Sequence, residues 1–282
     1  MNRKLLIVVS LMCGLSAIGQ KKIDYVDPMI GTNGMGHTFP GACVPHGLVQ
    51  LSPDTDTVPH NVNGVHQSRA YEYCAGYQHR DSSIVGFSHT HFNGTGHSDL
   101  GDILVMPITG EVKFNPGTAE DPDSGYRSRF DKKDEIAVPG YYSVILKDYG
   151  VKAELTATQR VGFHRYTYPK SEQANLIFDI GNKQGESGEV KDAEVQYFDD
   201  GRVEGYVVTS PVYVDIYQKG ADVRMYFSAV LNKQPIEVGT FVKDKVVSGK
   251  YQAKGPGAGL YLTFSTEEQE SVEVKVGLSY TS

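Results

Sequence analysis

Eight of the nine histidines lie between His37 and His97, in a stretch dense in glycine, threonine, asparagine and aspartate. Imidazoles, carboxylates and hydroxyls set among glycines suit a loop-built grip on a small polar ligand, because glycine allows close backbone approach and positive φ. Three clusters carry the signal. The first runs from Tyr25 through Gly31 and Thr32 to Gly34, Gly36, His37, Thr38, Phe39, Pro40 and Gly41. It is not a phosphate loop, since no Gly-Lys-Ser/Thr follows it; a tight structural loop between strands accounts for its composition equally well. The second, Tyr71-Glu72-Tyr73-Cys74-Ala75-Gly76-Tyr77, has the aromatic density needed to stack on the apolar face of a sugar ring. Its tyrosines would also serve simply to cover the edge of a sheet.

The third cluster, GFSHTHFNGTGHSDLGD from Gly86 to Asp102, is the richest. His89 and His91 fall on one face of an extended segment. With Asp99 and Asp102 near in sequence, a His/Asp metal site is one chemistry open to it. Hydrogen bonding to sugar hydroxyls, or bracing of the loop, explains the same residues. A nucleophilic serine at Ser88 lacks the G-x-S-x-G context.

The elements that must hold these clusters read as strands. From Tyr141 onward, alternation marks Tyr141–Leu146, Val151–Thr158, Val161–Tyr168, Asn175–Ile180, Ala193–Phe198, Arg202–Thr209, Val212–Tyr217, Val223–Val230, Gly239–Val242, Lys245–Ser248, Gly259–Phe264 and Val272–Leu278. Asp148-Tyr149-Gly150 and Asp199-Asp200-Gly201 supply turns. No long 3.6-period apolar stripe is present, so the predicted class is all-β, a large antiparallel β-sandwich spanning residues 20–282 with long N-terminal loops.

Bulk properties narrow the partners. The chain has 282 residues, 39% hydrophobic and 22% charged, with a formal charge of −7. That is a globular composition, too acidic for a nucleic-acid backbone and without a basic run to meet a membrane surface. Arg3 and Lys4, an apolar Leu5–Leu15 and the small residues Ala17 and Gly19 read as a cleaved signal peptide over residues 1–19, implying a secreted or periplasmic protein. The apolar run is too short to span a bilayer, and Met12 before Cys13 is a poor match to a lipid-attachment box. Cys43 and Cys74 either pair or remain buried thiols. The chain stops at Ser282, four residues after the Val272–Leu278 run, where a connection to something further would begin.

The stretches YVDPMIGT, GHTFPGA, PHGLVQLSPDT, CAGYQHRDSSIVGFSHTHFNGTG, DLGDILVMP, LTATQRVGFHRYTYP and VKVGLSYTS, in this order, resemble the N-terminal domain of glycoside hydrolase family 92, the bacterial calcium-dependent exo-acting α-mannosidases. The resemblance implies a β-sandwich resting on a larger (α/α)6 barrel, which supplies the general acid, the general base and the calcium ligands for an inverting hydrolysis of α-linked mannose. No barrel follows in this sequence. No catalytic residue carries over, and no calcium is expected on this chain alone. What carries over is one wall of the sugar pocket, with His37, Phe39, Tyr71, Tyr73, His89, His91, Gly94, Thr95, Asp99 and Asp102 as binding or bracing groups. Two departures touch specificity. Tyr71 and Tyr73 stand where the family commonly has tryptophan, and His97 where it often has cysteine. The resemblance implies an α-mannose-containing glycan as partner and a C-terminal barrel encoded separately or downstream. A free-standing carbohydrate-binding module is the other reading, and a metal-dependent hydrolase on His89, His91 and Asp99 a third. Without a barrel, Phe39, Phe92 and the loop tyrosines would form an exposed apolar patch.

Overall fold

The computed structural model of the chain describes residues 21–94, 96–243 and 245–282. The expected signal peptide and Thr95 lie outside them. Two antiparallel sheets stack as the alternation predicts. Nine strands run, edge to edge, in the order Gln252–Lys254, Val190–Tyr197, Arg202–Thr209, Val223–Leu231, Glu270–Ser279, Val161–Tyr168, Val151–Ala157, Tyr141–Leu146 and Ile136–Val138. Alternation is clean here. Val151, Ala153 and Leu155 point inward while Lys152 and Glu154 point out, and Val272, Val274, Val276 and Leu278 do the same along the closing strand.

The second sheet orders Ala42–Cys43, Gln50–Asp54, Gly86–Ser88, Leu104–Thr109, Ser171–Asp179, Ala258–Thr266, Glu237–Val242 and Lys245–Ser248. Its middle strands are buried on both faces, so their sequences read as continuous apolar runs. One face meets the nine-stranded sheet, with Phe178 stacked on Phe227 at 6.3 Å between ring centroids. The other is covered by the excursion between Thr109 and Ile136. Phe114 lies on Phe241 and Tyr261 there, and the Tyr126 hydroxyl donates to Asp179 Oδ2 at 2.7 Å. Pro107 sits in a middle strand because the neighbouring Gly86–Ser88 pairs only at Val105, leaving that edge free beyond it.

One predicted strand is not a strand. Val212–Tyr217 forms a short α-helix, with the Asp215 amide on the Pro211 carbonyl and the Gln218 amide on that of Val214. Its alternating pattern lost to context: no sheet edge receives it, none of its residues is buried, and it is anchored by the Val212 amide on the Glu186 carbonyl at 2.9 Å and by the Tyr213 ring on Phe92 and His97. The stretch before residue 110, read only as loops, contributes four strands to the eight-stranded sheet. No helix among the described residues is long and apolar enough to cross a membrane. Cys43 is exposed and Cys74 buried, both as free thiols, and burial pushes the Cys74 thiol up to about 12.

Two strand glycines serve opposite ends. A Cβ at Gly205 would lie 2.1 Å from the Glu194 carbonyl oxygen and 2.8 Å from the Phe227 ring, whereas one at Gly277 would meet nothing nearer than the Ser228 carbonyl oxygen at 3.7 Å. Gly205→Ala should therefore cost about 1–3 kcal/mol in urea unfolding. Gly277→Ala should be neutral or stabilise by about 0.5 kcal/mol; equal effects at the two positions would contradict this packing.

Candidate functional site

The histidine-rich clusters converge at one end of the eight-stranded sheet, in three tiers. The lowest is a buried relay. His89 Nδ1 faces the Ile103 carbonyl at 2.7 Å, which accepts only, so the proton sits on Nδ1. His89 Nε2 is then an acceptor, and His164 Nε2–H donates to it at 2.9 Å. His164 Nδ1 in turn accepts from the Tyr166 hydroxyl at 2.7 Å. Burial holds His89 down at about 4, with the neighbouring His91 adding to the effect, and burial together with His89 holds His164 well below the usual imidazole range. Both are neutral, and the relay ties the His89 strand to the nine-stranded sheet. Gly162 is needed beside it, since a Cβ there would lie 2.7 Å from His89 Cδ2.

The middle tier is charged. His91 Nδ1 donates to the Gln50 carbonyl at 2.7 Å, while its Nε2 lies 3.0 Å from Asp54 Oδ1 and 3.1 Å from Ser88 Oγ. A carboxylate oxygen facing Nε2 requires a proton between them, which makes a fully buried imidazole–carboxylate pair. Gln184 Nε2 donates to the same Oδ1 at 3.1 Å. Alongside, Asp102 accepts from Thr90 Oγ1 at 2.8 Å and from Lys183 Nζ, a second buried ion pair. Asp99, raised by burial, accepts from the Leu100 amide at 2.6 Å. Burial, and after it the nearby Asp102 and Asp99 carboxylates, push the Tyr280 phenol up to about 12.

Two loops are sewn together here. The Ser98 amide donates to Glu186 Oε2 at 2.6 Å, the Glu186 amide to the Ser98 carbonyl at 2.5 Å, and Ser187 Oγ to the Leu100 carbonyl at 2.7 Å. The backbone bends sharply to allow it. Leu100 (φ 71°) and the β-branched Ile103 (φ 56°) occupy the left-handed region, a costly state that the surrounding bonds over-determine.

The upper tier reaches solvent. His37 meets Tyr71 edge to face at 4.6 Å, and its carbonyl takes the Gly94 amide at 2.8 Å. Phe39 packs on His91 at 5.2 Å. Phe92, His97 and Tyr213 form a ring cluster, His97 to Tyr213 at 4.5 Å. Glu186 lies 3.5 Å from both His60 Nδ1 and His97 Nδ1. Glu186 and His60, together with Met35, His66 and Tyr71, border a cavity of about 330 Å³. Tyr71, 43% exposed, is held against Gly96, where a Cβ would lie 2.6 Å from its ring.

The predicted site residues thus separate into two groups. His37, Phe39, Tyr71 and Gly94 stand at or just beneath the surface. Tyr73, His89, His91, Asp99 and Asp102 are buried and spend their polar atoms on protein partners; Tyr73 donates to Asp81 Oδ2 at 2.9 Å. They brace. Phe39 and Phe92, expected to be exposed, are half-buried against His91 and Tyr213. The His89–His91–Asp99 metal arrangement does not form, because both imidazoles are committed elsewhere, and among the described residues no group of three or more His, Cys, Asp or Glu could hold a metal ion. Sequence reasoning passed over Asp54, Lys183, Gln184, Glu186 and His164. A cue existed: GNKQGESG is a second polar, glycine-rich tract between strands.

Two measurements test this construction. Because His89 and His164 protonate more readily unfolded than folded, the unfolded state binds more protons between pH 6.5 and about 4. Stability should fall as pH drops through that window, by up to about 1.4 kcal/mol per pH unit per histidine, and His164→Asn should flatten the curve in urea melts. Asp54→Ala, which strands His91 in the interior, should cost about 3–5 kcal/mol at pH 7; a loss below 1 kcal/mol would rule out the paired state.

Comparison with known proteins fits the fold and the site together. Residues 25–279 match the family model described as the glycosyl hydrolase family 92 N-terminal domain. Among solved structures, the family GH92 α-mannosidase BT3965 from Bacteroides thetaiotaomicron, solved alone and with mannoimidazole, superposes with a TM-score of 0.82 at 37% identity, over 93% of this chain and about a third of that one. The GH92 glycosyl hydrolase ccman5 gives 0.71 at 29% identity over 92% of this chain. An uncharacterized secreted glycosidase of Arthroderma benhamiae is 29% identical over 156 residues, which is 52% of this chain and 17% of that protein. The chain therefore spans only a minor part of the length of its relatives. It belongs to glycosyl hydrolase family 92, of which it is the N-terminal β-sandwich domain.

Proposed function

We propose that this domain forms the substrate-facing wall of a secreted or periplasmic exo-α-mannosidase, holding an α-linked mannoside that a second domain hydrolyses. The observation that carries the reading is Tyr71: a half-exposed ring, held against Gly96 and His37, at the border of a cavity that His60, His66 and Glu186 also line. A ring so held offers a stacking face to a pyranose, while His60, His66 and Glu186 offer hydrogen bonds to its hydroxyls. The names of the solved relatives, α-mannosidases, support the sugar. The secreted glycosidase among the relatives supports the compartment.

Acid, base and calcium belong, on this reading, to the (α/α)6 barrel. The carboxylates of the loop cluster are poor candidates for any of these tasks, since Asp54, Asp102 and Glu186 already accept hydrogen bonds from protein donors. The oxygens left without a partner there, Asp54 Oδ2 and Gln184 Oε1, fall short of the roughly six to eight ligands calcium takes. The rim is also apolar in a way that suits a neighbouring domain. Ile30, Met35, Ile216 and Tyr217 are exposed around the cavity's side of the molecule, the last at 76%.

The purified chain, assayed with calcium on an aryl α-mannoside, should show no turnover, and robust hydrolysis would overturn the division of labour. Fusion to a family 92 barrel should restore hydrolysis. In that two-domain protein Tyr71→Ala should raise KM for the mannoside about 3- to 10-fold, whereas an unchanged KM would remove Tyr71 from the site.

A further inference from the structure

A second concavity lies on the outer face of the nine-stranded sheet, away from the histidine-rich loops. It encloses about 580 Å³, within the range of small-ligand sites. Its floor is Gly277. That glycine faces outward on the Glu270–Ser279 strand, between Ser228 on one neighbouring strand and Val161 on the other. Neither packing nor backbone explains it: a Cβ would make only ordinary contacts, 3.7 Å from the Ser228 carbonyl oxygen and 4.0 Å from that of Arg160, and Gly277 is not among the positive-φ glycines. What its lack of a side chain does is leave a depression in an otherwise continuous row of outward residues.

The walls have mixed chemistry. Tyr206 and Tyr226 are cross-strand partners with ring centroids 6.0 Å apart. Both are held in place: the Arg224 guanidinium lies 4.9 Å from one ring and 5.8 Å from the other, and the Tyr206 hydroxyl donates to Asp192 Oδ2 at 2.8 Å. Beside them stand Gln196, Glu194 and Glu204, with Arg160 across the groove. Charges of both signs line it, which argues against a phosphate or polyanion. Rigid amphipathic rings next to amide and carboxylate acceptors match a neutral ligand with an apolar face and many hydroxyls.

We propose that this groove is a second carbohydrate-binding site, taking a short stretch of neutral oligosaccharide and separate from the pocket at Tyr71. It does not depend on the mannosidase reading, since none of its walls belongs to the loop cluster. Its role would be to keep the domain on a polymeric glycan while the loops address a chain end.

Gly277 makes the test direct. Gly277→Val fills the depression with a residue suited to a strand whose Cβ meets nothing nearer than 3.7 Å, so it should block the groove while leaving the urea midpoint unchanged or raised. Tyr226→Ala removes one wall by an independent route. The full chain would be run through native gels containing α-mannan, starch or xylan, and titrated calorimetrically with mannotriose. Wild type should be retarded by at least one of these glycans. Gly277→Val and Tyr226→Ala should each weaken that retardation at least tenfold, while Tyr71→Ala should keep most of it. Absence of retardation by every glycan, as for a face that seats a protein segment, overturns the proposal. So does retardation of both groove variants like wild type. Loss on Tyr71→Ala alone overturns it too, while sparing the mannoside pocket.

Discussion

A single hydrogen bond between two neutral imidazoles, His164 Nε2–H to His89 Nε2, is the contact on which the loop architecture rests. Much of the inter-sheet layer elsewhere is apolar and indifferent to direction, although the Tyr168 hydroxyl also donates across it to the Asn175 carbonyl at 2.8 Å. The imidazole bond is directional, and its proton order is fixed from outside by the Ile103 carbonyl at one end and the Tyr166 hydroxyl at the other. It sets where the Ser88–His91 segment lies relative to the nine-stranded sheet, and so where His91 meets Asp54. Every polar atom of the chain of donors and acceptors is satisfied, which is the condition under which a buried polar network specifies a structure instead of weakening it.

Above this floor the domain positions side chains with little helix, a 3-10 turn at Ser68–Tyr73 carrying Tyr71 and Tyr73 and the short Val212–Tyr217 helix carrying Tyr213. It uses short strands that dissolve into loops and then stitches the loops to each other. The 98–102 and 184–187 segments exchange backbone and side-chain bonds much as two strands would. The strained φ of Leu100 and Ile103 is tolerated because those bonds leave the backbone no alternative. Charge is then added in pairs, His91 with Asp54 and Lys183 with Asp102. The site's interior is thereby polar and directional without being strongly charged.

From Tyr141 onward the fold was legible because period-2 alternation coincides with burial. Tyr141–Leu146, Val161–Tyr168, Arg202–Thr209 and Lys245–Ser248 fall where the pattern puts them. Val212–Tyr217 carries the same pattern and coils instead, since alternation is satisfied only if a sheet edge is free to receive it. Gln50–Asp54 and Leu104–Thr109 escaped notice because each contains a proline. In the site, residue types located the cluster but not the direction of its side chains. His89 and His91 are two apart and look equivalent in sequence. One turns to the opposite sheet and the other to Asp54, a difference that depends on partners 75 and 37 residues away.

Those separations have a consequence for how the domain is made. Gln184 reaches Asp54 across 130 residues, and Glu186 reaches Ser98 across 88. Such pairings recover the entropy of closing long loops only late. The loop cluster is thus without its lining until the polypeptide beyond residue 187 has been synthesised and the central strands have docked. Until then its histidines and carboxylates belong to an open, hydrated chain, and the pocket is among the last features to acquire a shape.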